Sequence, residues 1–361
     1  MLAIALLATV FSFTGCKKNT GTGTSTTSKP YIALVAKGFQ FQYWQVVMQG
    51  AKKAATELGV TITFDGPPSE SNIDQQVNMI NADLAKHPVA ICLAALDTSS
   101  VLSQLAQAKK DKIPVIGFDS GIPNAPAGEV AATAATDSIK AGAMAADKLF
   151  ADTTFSGKLN ASTSTNPIAI GVLSQDATSA SIVQRTKGFL DEMKKNIEGI
   201  TGFSGCVDIS GQSTFNVAST NKAKVKIVVN VPPTTNATDG LNAAQTLLQT
   251  KNLMALYGSN QGAADDIDAA TSDGADLDRT SGKYKDVAVV GFDAGKGQKT
   301  SVQNGWFLGS ITQDPFQIGY DAVELAYKAY KGETVADMDT GAKWYDKTNM
   351  TNADIKDLLY D

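Results

Sequence analysis

The sequence predicts an α/β fold with two doubly wound parallel sheets, and three observations carry that prediction. Short, continuous apolar runs such as YIALV and IAIGVL alternate with helical stretches of about 10 to 16 residues, the pattern of strands buried on both faces by crossover helices. The rhythm runs once from Tyr31 to Asp119 and begins again near Ile168. With 361 residues, 43% hydrophobic and 19% charged, the chain is long enough for two domains that each bury a core.

In chain order, YIALV is the first strand and a helix follows from Tyr43 to Leu58. VTITFD, a helix from Ile73 to Lys86, AICLAAL, a helix from Val101 to Lys110, and IPVIGFD complete the first run. EVAATAATDS reads as a small-residue strand and crossover. Residues 151–166 read as a polar, exposed connection. The second run is IAIGVL, a helix from Ser179 to Lys195, VKIVVNV, a helix near Leu241 to Gln249, LMALYG, a helix from Ala263, and VAVVGFD. Residues 201–223 form a long irregular insert to which no element is assigned.

Ligands of such sheets bind beyond the carboxyl ends of the strands, so the residues there are the site candidates. After the first strand, AKGFQFQYWQ places four rings within six residues, Phe39, Phe41, Tyr43 and Trp44, preceded by Lys37. Later strands end at Asp97, at Asp119 and Ser120, at Gln175, at Asn260, at Asp293 and at Gln313. Each Asp alone could be an ordinary turn residue, and one ring alone is more often core. Their recurrence in both halves points instead to a cleft that stacks ring faces and hydrogen-bonds hydroxyls, which is sugar-binding chemistry.

The rest of the chain narrows the class. A net charge of −5 without a long basic cluster argues against a nucleic-acid partner. There is no G-x-G-x-x-G after the first strand, no phosphate-binding G-x-x-x-x-G-K-[ST], no G-x-S-x-G elbow and no Cys/His pair. The chain is therefore read as a binder and not an enzyme, with no cofactor and no metal. His87 reads as a surface residue at a helix-to-strand turn. MLAIALLATVFSFTG has the length of a signal-peptide apolar region, and Phe13-Thr14-Gly15-Cys16 resembles the lipobox of bacterial lipoproteins, which makes Cys16 the lipidation site. Residues 17–30 then form a flexible tether. Cys92 and Cys206 remain, and nothing in their spacing suggests a disulfide.

The aromatic cluster FQYW, the VIGFDS and VVGFDAG turns and the stretch GSITQDPFQIGYDAVELAYKAYKGE resemble the type I periplasmic sugar-binding proteins over roughly residues 31–347. The resemblance implies two Rossmann-like lobes joined by three hinge crossovers near Thr136, Gln313 and Thr340. Residues 31–136 with 314–341 would form the N-terminal lobe, and 137–313 with 342–361 the C-terminal lobe. It also implies stacking by Tyr43 and Trp44 next to Phe41, polar contacts from Asp119, Asn260, Asp293 and Gln313, and capture of a monosaccharide for an ABC importer permease. The strand-edge reading adds Lys37, Asp97, Ser120, Gln175 and Arg185 to this set. The chain is expected to be a lipid-anchored, extracytoplasmic monomer. Two arginines of the ribose binders are expected to be missing, with Ser120 at one position and Val183 at the other, so ribose itself is disfavoured. ITFDGP and Lys37 with FDS also resemble the quorum-signal receptors of the same fold, which keeps a signal molecule or another small polyol or nucleoside as the second reading.

Overall fold

The computed structural model describes residues 29–360. The signal-peptide, Cys16 and most of the tether readings lie outside them. The first run builds β1 (Tyr31–Val35), α1 (Gln42–Leu58), β2 (Thr61–Asp65), α2 (Ile73–Leu84), β3 (Ala90–Leu93), α3 (Leu102–Lys110), β4 (Val115–Phe118) and β5 (Ala132–Ala135). The chain then enters a second body through α4 (Ser138–Phe150), α5 (Thr153–Asn160), β6 (Ile168–Leu173), α6 (Ala180–Glu198), β7 (Val207–Ser210) and β8 (Val225–Asn230). That body continues with α7 (Ala237–Leu248), β9 (Leu253–Gly258), α8 (Gln261–Ala270), β10 (Ala288–Phe292), α9 (Lys296–Asn304) and β11 (Gly309–Gln313). The chain returns to the first body for α10 (Pro315–Tyr330) and β12 (Met338–Asp339), and crosses back for β13 (Ala342–Tyr345) and α11 (Ala353–Lys356).

The first sheet has the order β12-β5-β4-β3-β1-β2 and is parallel throughout. The second has the order β13-β11-β10-β9-β6-β8-β7, with β13 alone antiparallel to its neighbour. Helices cover both faces of each, as parallel sheets require. This is the α/β, doubly wound, two-lobed architecture of the type I periplasmic binding proteins.

The connecting segments lie side by side. Thr340 N–H donates to Ala135 O at 3.1 Å, and Thr136 Oγ1 donates to Gly341 O at 3.1 Å. Two of the three crossings end on a capped helix: Asp137 accepts from Lys140 N–H to start α4, and Asp314 accepts from Gln317 N–H with Pro315 at the first position of α10. An N-cap fixes the first turn, so flexing is confined to the few residues before it.

Each lobe is also closed by a glycine-to-glycine helix crossing. A Cβ on Gly50 of α1 would lie 1.9 Å from Phe316 O, and one on Gly319 of α10 would lie 1.9 Å from Val47 O. In the other lobe a Cβ on Gly142 of α4 would lie 2.0 Å from Arg185 O, and one on Gly188 of α6 would lie 2.2 Å from Ile139 O. The two helix pairs touch backbone to backbone, which only glycine permits.

Three segments differ from the sequence reading. The 151–166 connection contains α5, capped by Asp152 and anchored by buried Phe155 and Leu159 one turn apart. The 201–223 insert supplies β7, an edge strand parallel to β8 whose Ile209 also bridges Val217. The stretch KGQKTSVQN, read as no element, forms α9, which buries Val302 with the polar Gln298 and Ser301. Cys92 and Cys206 are buried, free thiols, and His87 is exposed in a left-handed turn with φ 49°.

Candidate ligand-binding site between the lobes

The same turn ends the central strand β4 and its counterpart β10. Phe118-Asp119 and Phe292-Asp293 each place the Asp at positive φ, 55° and 75°, a conformation Asp tolerates better than most residues. Each Asp N–H is tied to the next strand, Asp119 to Ala134 O at 3.0 Å and Asp293 to Ile311 O at 2.6 Å. The two carboxyl groups are thereby aimed at one space from opposite lobes.

On the N-terminal side, Tyr43 Oη donates to Asp119 Oδ1 at 2.6 Å, while Lys37 Nζ stands 3.7 Å from Asp119 Oδ2 and 3.6 Å from Glu70 Oε2. Burial disfavours the Lys37 ammonium, but Glu70 and Asp119 outweigh it and its pKa is raised, so it stays charged. Burial and the Asp119 charge together push the Tyr43 phenol well up, which keeps it a donor. Asp119 Oδ2 accepts no hydrogen bond. Trp44 Nε1 donates to Glu70 Oε1 at 2.8 Å, and its ring meets Tyr43 and Phe118 edge to face.

On the C-terminal side, Asp293 accepts from Gln313 Nε2 at 2.7 Å and from Gln261 N–H at 3.0 Å, with Arg185 Nη1 at 3.8 Å. Burial pushes its carboxyl up against these favourable contacts. Arg185 lies over the Phe292 ring at 3.9 Å and leaves its Nε without a partner, as Gln261 leaves Oε1. Asn260 caps α8 through Ala263 N–H and donates to Gln175 Oε1, while Gln175 Nε2 reaches across to Glu70 Oε2 at 2.9 Å.

These groups enclose a cavity lined by Lys37, Phe41, Tyr43, Trp44, Glu70, Asp119, Ile182, Arg185, Asn260, Gln261, Asp293 and Gln313. Its free volume is about 20 Å³, on the scale of one water, so a ring-sized ligand enters only when the lobes part. A larger cavity of about 350 Å³ also borders Asp119, but its walls are mostly Ala, Pro, Gly and Thr, with Ile122, Val130, Gln184 and Asp337 and no aromatic ring.

Three residues expected at the ligand lie elsewhere. Asp97 turns away to accept from Ser99 and Ser100 N–H, closing its own loop. Ser120 accepts from Ser181 N–H at 3.2 Å and so joins the lobes behind the cavity. Gln175 stands one layer out, bridging Glu70 and Asn260. The helical register turns the expected Arg185, and not Val183, into the cavity, so the second lobe does present a guanidinium there. Glu70, Ile182 and Gln261 were not among the expected residues. Glu70 sits in the irregular Pro68-Ser69-Glu70-Ser71 bend after β2, where no periodicity marks it, and Gln261 was visible only as the neighbour of Asn260. Among the described residues no group of three or more His, Cys, Asp or Glu side chains is placed to hold a metal.

The model of the periplasmic binding protein domain matches residues 32–334. The D-allose-binding periplasmic protein of Escherichia coli is 23% identical over 320 residues, covering 88% of this chain and 89% of the relative. Among solved structures, an "ABC transporter, LacI family transcriptional regulator" of Brachyspira murdochii is 37% identical with a TM-score of 0.75, covering 92% of this chain and 99% of that one. An ABC transporter solute-binding protein of Agrobacterium vitis with bound D-fucose is 26% identical with a TM-score of 0.74, covering 91% and 100%. With the two-lobed fold, the hinge crossings and a family match that spans both lobes, the chain belongs to the periplasmic binding protein domain family.

Proposed function

We propose that this protein captures a sugar between its lobes outside the cytoplasm and delivers it to an ABC importer, as a monomer held to the membrane by lipid on Cys16. The observation that carries the reading is the pair Asp119 and Asp293, one from each lobe on matching turns, facing one cavity together with Tyr43, Lys37, Arg185 and Gln313. Carboxylates accept from sugar hydroxyls, the guanidinium and amide groups donate to them, and the rings of Phe41 and Trp44 cover the C–H faces. Relatives named for D-allose and bound to D-fucose support the ligand class.

The mechanism is population shift. Asp119 Oδ2 and Gln261 Oε1 accept no hydrogen bond and Arg185 Nε donates none, and a polyhydroxylated ring satisfies groups of both lobes at once. Only the closed form offers both sets, so ligand stabilises closure, and the closed face then presents itself to the permease. The chemistry requires no bond to break in the ligand.

The test is calorimetric titration and tryptophan fluorescence with D-allose, D-fucose, D-ribose, D-galactose, myo-inositol and adenosine. The expected result is saturable binding of at least one sugar, weakened about 10- to 100-fold by Asp119→Asn and by Asp293→Asn, the value of a charge-assisted hydrogen bond. If both variants bind the best ligand as the parent does, the site is elsewhere.

A further inference from the structure

A second cavity of about 200 Å³ adjoins the central one. That is ten times the central free volume and below the ~300 Å³ of a drug-sized pocket, the scale of a single ring. Phe41 lines both spaces, and Gln175, which lines the second, is hydrogen-bonded to Glu70 and Asn260 of the first. Gly262 lies against both Phe41 and Gln175 and lines the second cavity. A Cβ there would fall 2.7 Å from Phe41 Cζ and 3.1 Å from Gln175 Oε1, so any side chain at 262 would wedge against the ring and seal the wall.

The second cavity differs in character from the first. Its walls are Leu173, Pro232, Ala263 and the Phe41 ring, apolar surface of the kind that covers one face of a sugar. Two carboxyl groups, Asp265 and Asp266, interrupt that surface. Asp266 lies against α7 at Gly240, where a Cβ would come within 2.0 Å of its Oδ2, so the bare glycine makes room for it. Burial pushes the Asp265 carboxyl up to about 6 and that of Asp266 to about 7. Carboxyls in such a wall are stabilised by donors brought by a ligand, and hydroxyl groups are donors of the right size.

Resting on the sugar-capture reading, we propose that this cavity is a second subsite of the cleft, taking the next ring of a glycosidically linked sugar, so that the protein's ligands include disaccharides. The first ring occupies the central cavity between Asp119 and Asp293. The linkage passes over Gly262 beside Phe41, and the second ring lies on Phe41, Leu173 and Pro232 with its hydroxyls toward Asp265 and Asp266. Thr235 and Gln40 close the outer rim.

The experiment titrates the full chain with D-galactose and D-glucose, with melibiose, lactose and maltose, and with D-ribose and adenosine, and repeats the series on Ala237→Phe. Ala237 is exposed at the first turn of α7 and borders only the second cavity, so a ring there fills the subsite from outside. The expected result is that at least one disaccharide binds as tightly as its monosaccharide or tighter, that Ala237→Phe weakens it tenfold or more, and that monosaccharide binding stays within twofold. A melting curve within a few degrees of the parent certifies the variant as folded. Monosaccharide binding with every disaccharide excluded overturns the subsite and leaves the sugar-capture reading standing. A disaccharide unaffected by Ala237→Phe also overturns the subsite. If adenosine alone shows the Ala237→Phe-sensitive gain, the second ring is a base and the sugar assignment is wrong. Failure of every compound to bind overturns both readings.

Discussion

Replacing Gly142 by alanine tests whether the backbone-to-backbone contact of α4 with α6 holds its lobe together. A Cβ at 142 falls 2.0 Å from Arg185 O and 2.9 Å from Phe189 N. Carbon meets oxygen comfortably at about 3.5 Å, so α4 and α6 must separate by about 1.5 Å at the crossing. Overpacking of that kind costs about 1–3 kcal/mol, against about 0.5–1 kcal/mol gained by removing glycine from a helix. The net is a loss of up to about 2.5 kcal/mol, or a fall in melting temperature of up to about 10 °C for lobes of this size. Gly157→Ala is the internal control, because in α5 its Cβ meets nothing within 4 Å, and it should raise stability by about 0.5–1 kcal/mol. The assay is urea and thermal unfolding followed by circular dichroism on both variants. Since the obstructed carbonyl belongs to Arg185, Gly142→Ala should also weaken ligand binding, whereas Gly157→Ala should not. The reasoning is refuted if Gly142→Ala melts at or above the parent while Gly157→Ala shows its expected gain.

Two further outcomes are expected. The closed rim is latched by Thr235, whose Oγ1 lies 3.0 Å from both Ser69 Oγ and Ser71 Oγ, while its backbone N–H donates to Ser71 Oγ at 2.7 Å and its carbonyl accepts from Gln40 at 3.2 Å. Thr235→Val removes the hydroxyl contacts, worth about 0.5–1.5 kcal/mol each, and should raise the ligand off-rate about fivefold in stopped-flow displacement; an unchanged off-rate rejects the latch. Asp268 accepts from Ser301 at 2.7 Å, keeps Oδ2 unpartnered, and burial pushes its carboxyl from 3.8 to about 7. Because the folded state holds this proton more tightly than the unfolded one, stability falls as pH rises from about 4 to about 7, by up to about 4 kcal/mol, and is flat above that range. Asp268→Asn should match the parent near pH 4 and exceed it by about 1 kcal/mol or more at pH 8 in chemical denaturation, and equal stability at both pH values rejects the assignment.

The strands were legible because burial on both faces leaves continuous apolar runs, and the FDS and FDA turns were legible because the same three-residue solution recurs at the ends of β4 and β10. α5 was hidden in a Ser/Thr-rich stretch whose signal is only Phe155 and Leu159, one helical turn apart. α9 was hidden because its inner face is amide and hydroxyl: Gln298 donates to Phe292 O and Ser301 to Asp268, so packing there runs on hydrogen bonds with no apolar stripe to detect. In the site, residues placed by a strand end could be anticipated. Glu70 could not, since it reaches the cavity from a bend, and Asp97 was misplaced because the same residue type serves equally well to close a loop. Arg185 required the exact phase of α6, which a two-residue uncertainty in a helix changes by about 200°.

The return of α10 and β12 to the first lobe bears on the order in which the chain can mature. α1 finds its cover in α10, whose Gly319 lies against Val47 and Ala51, and the edge of β5 finds its neighbour in β12. A growing chain therefore makes all of β1 to β5 and then the whole second lobe through β11 before the first lobe receives its last helix. Contacts of such long sequence separation form slowly, because a large loop must close before any reward is gained. The half-built first lobe waits with one face bare, apolar surface that is open to misassembly until α10 docks.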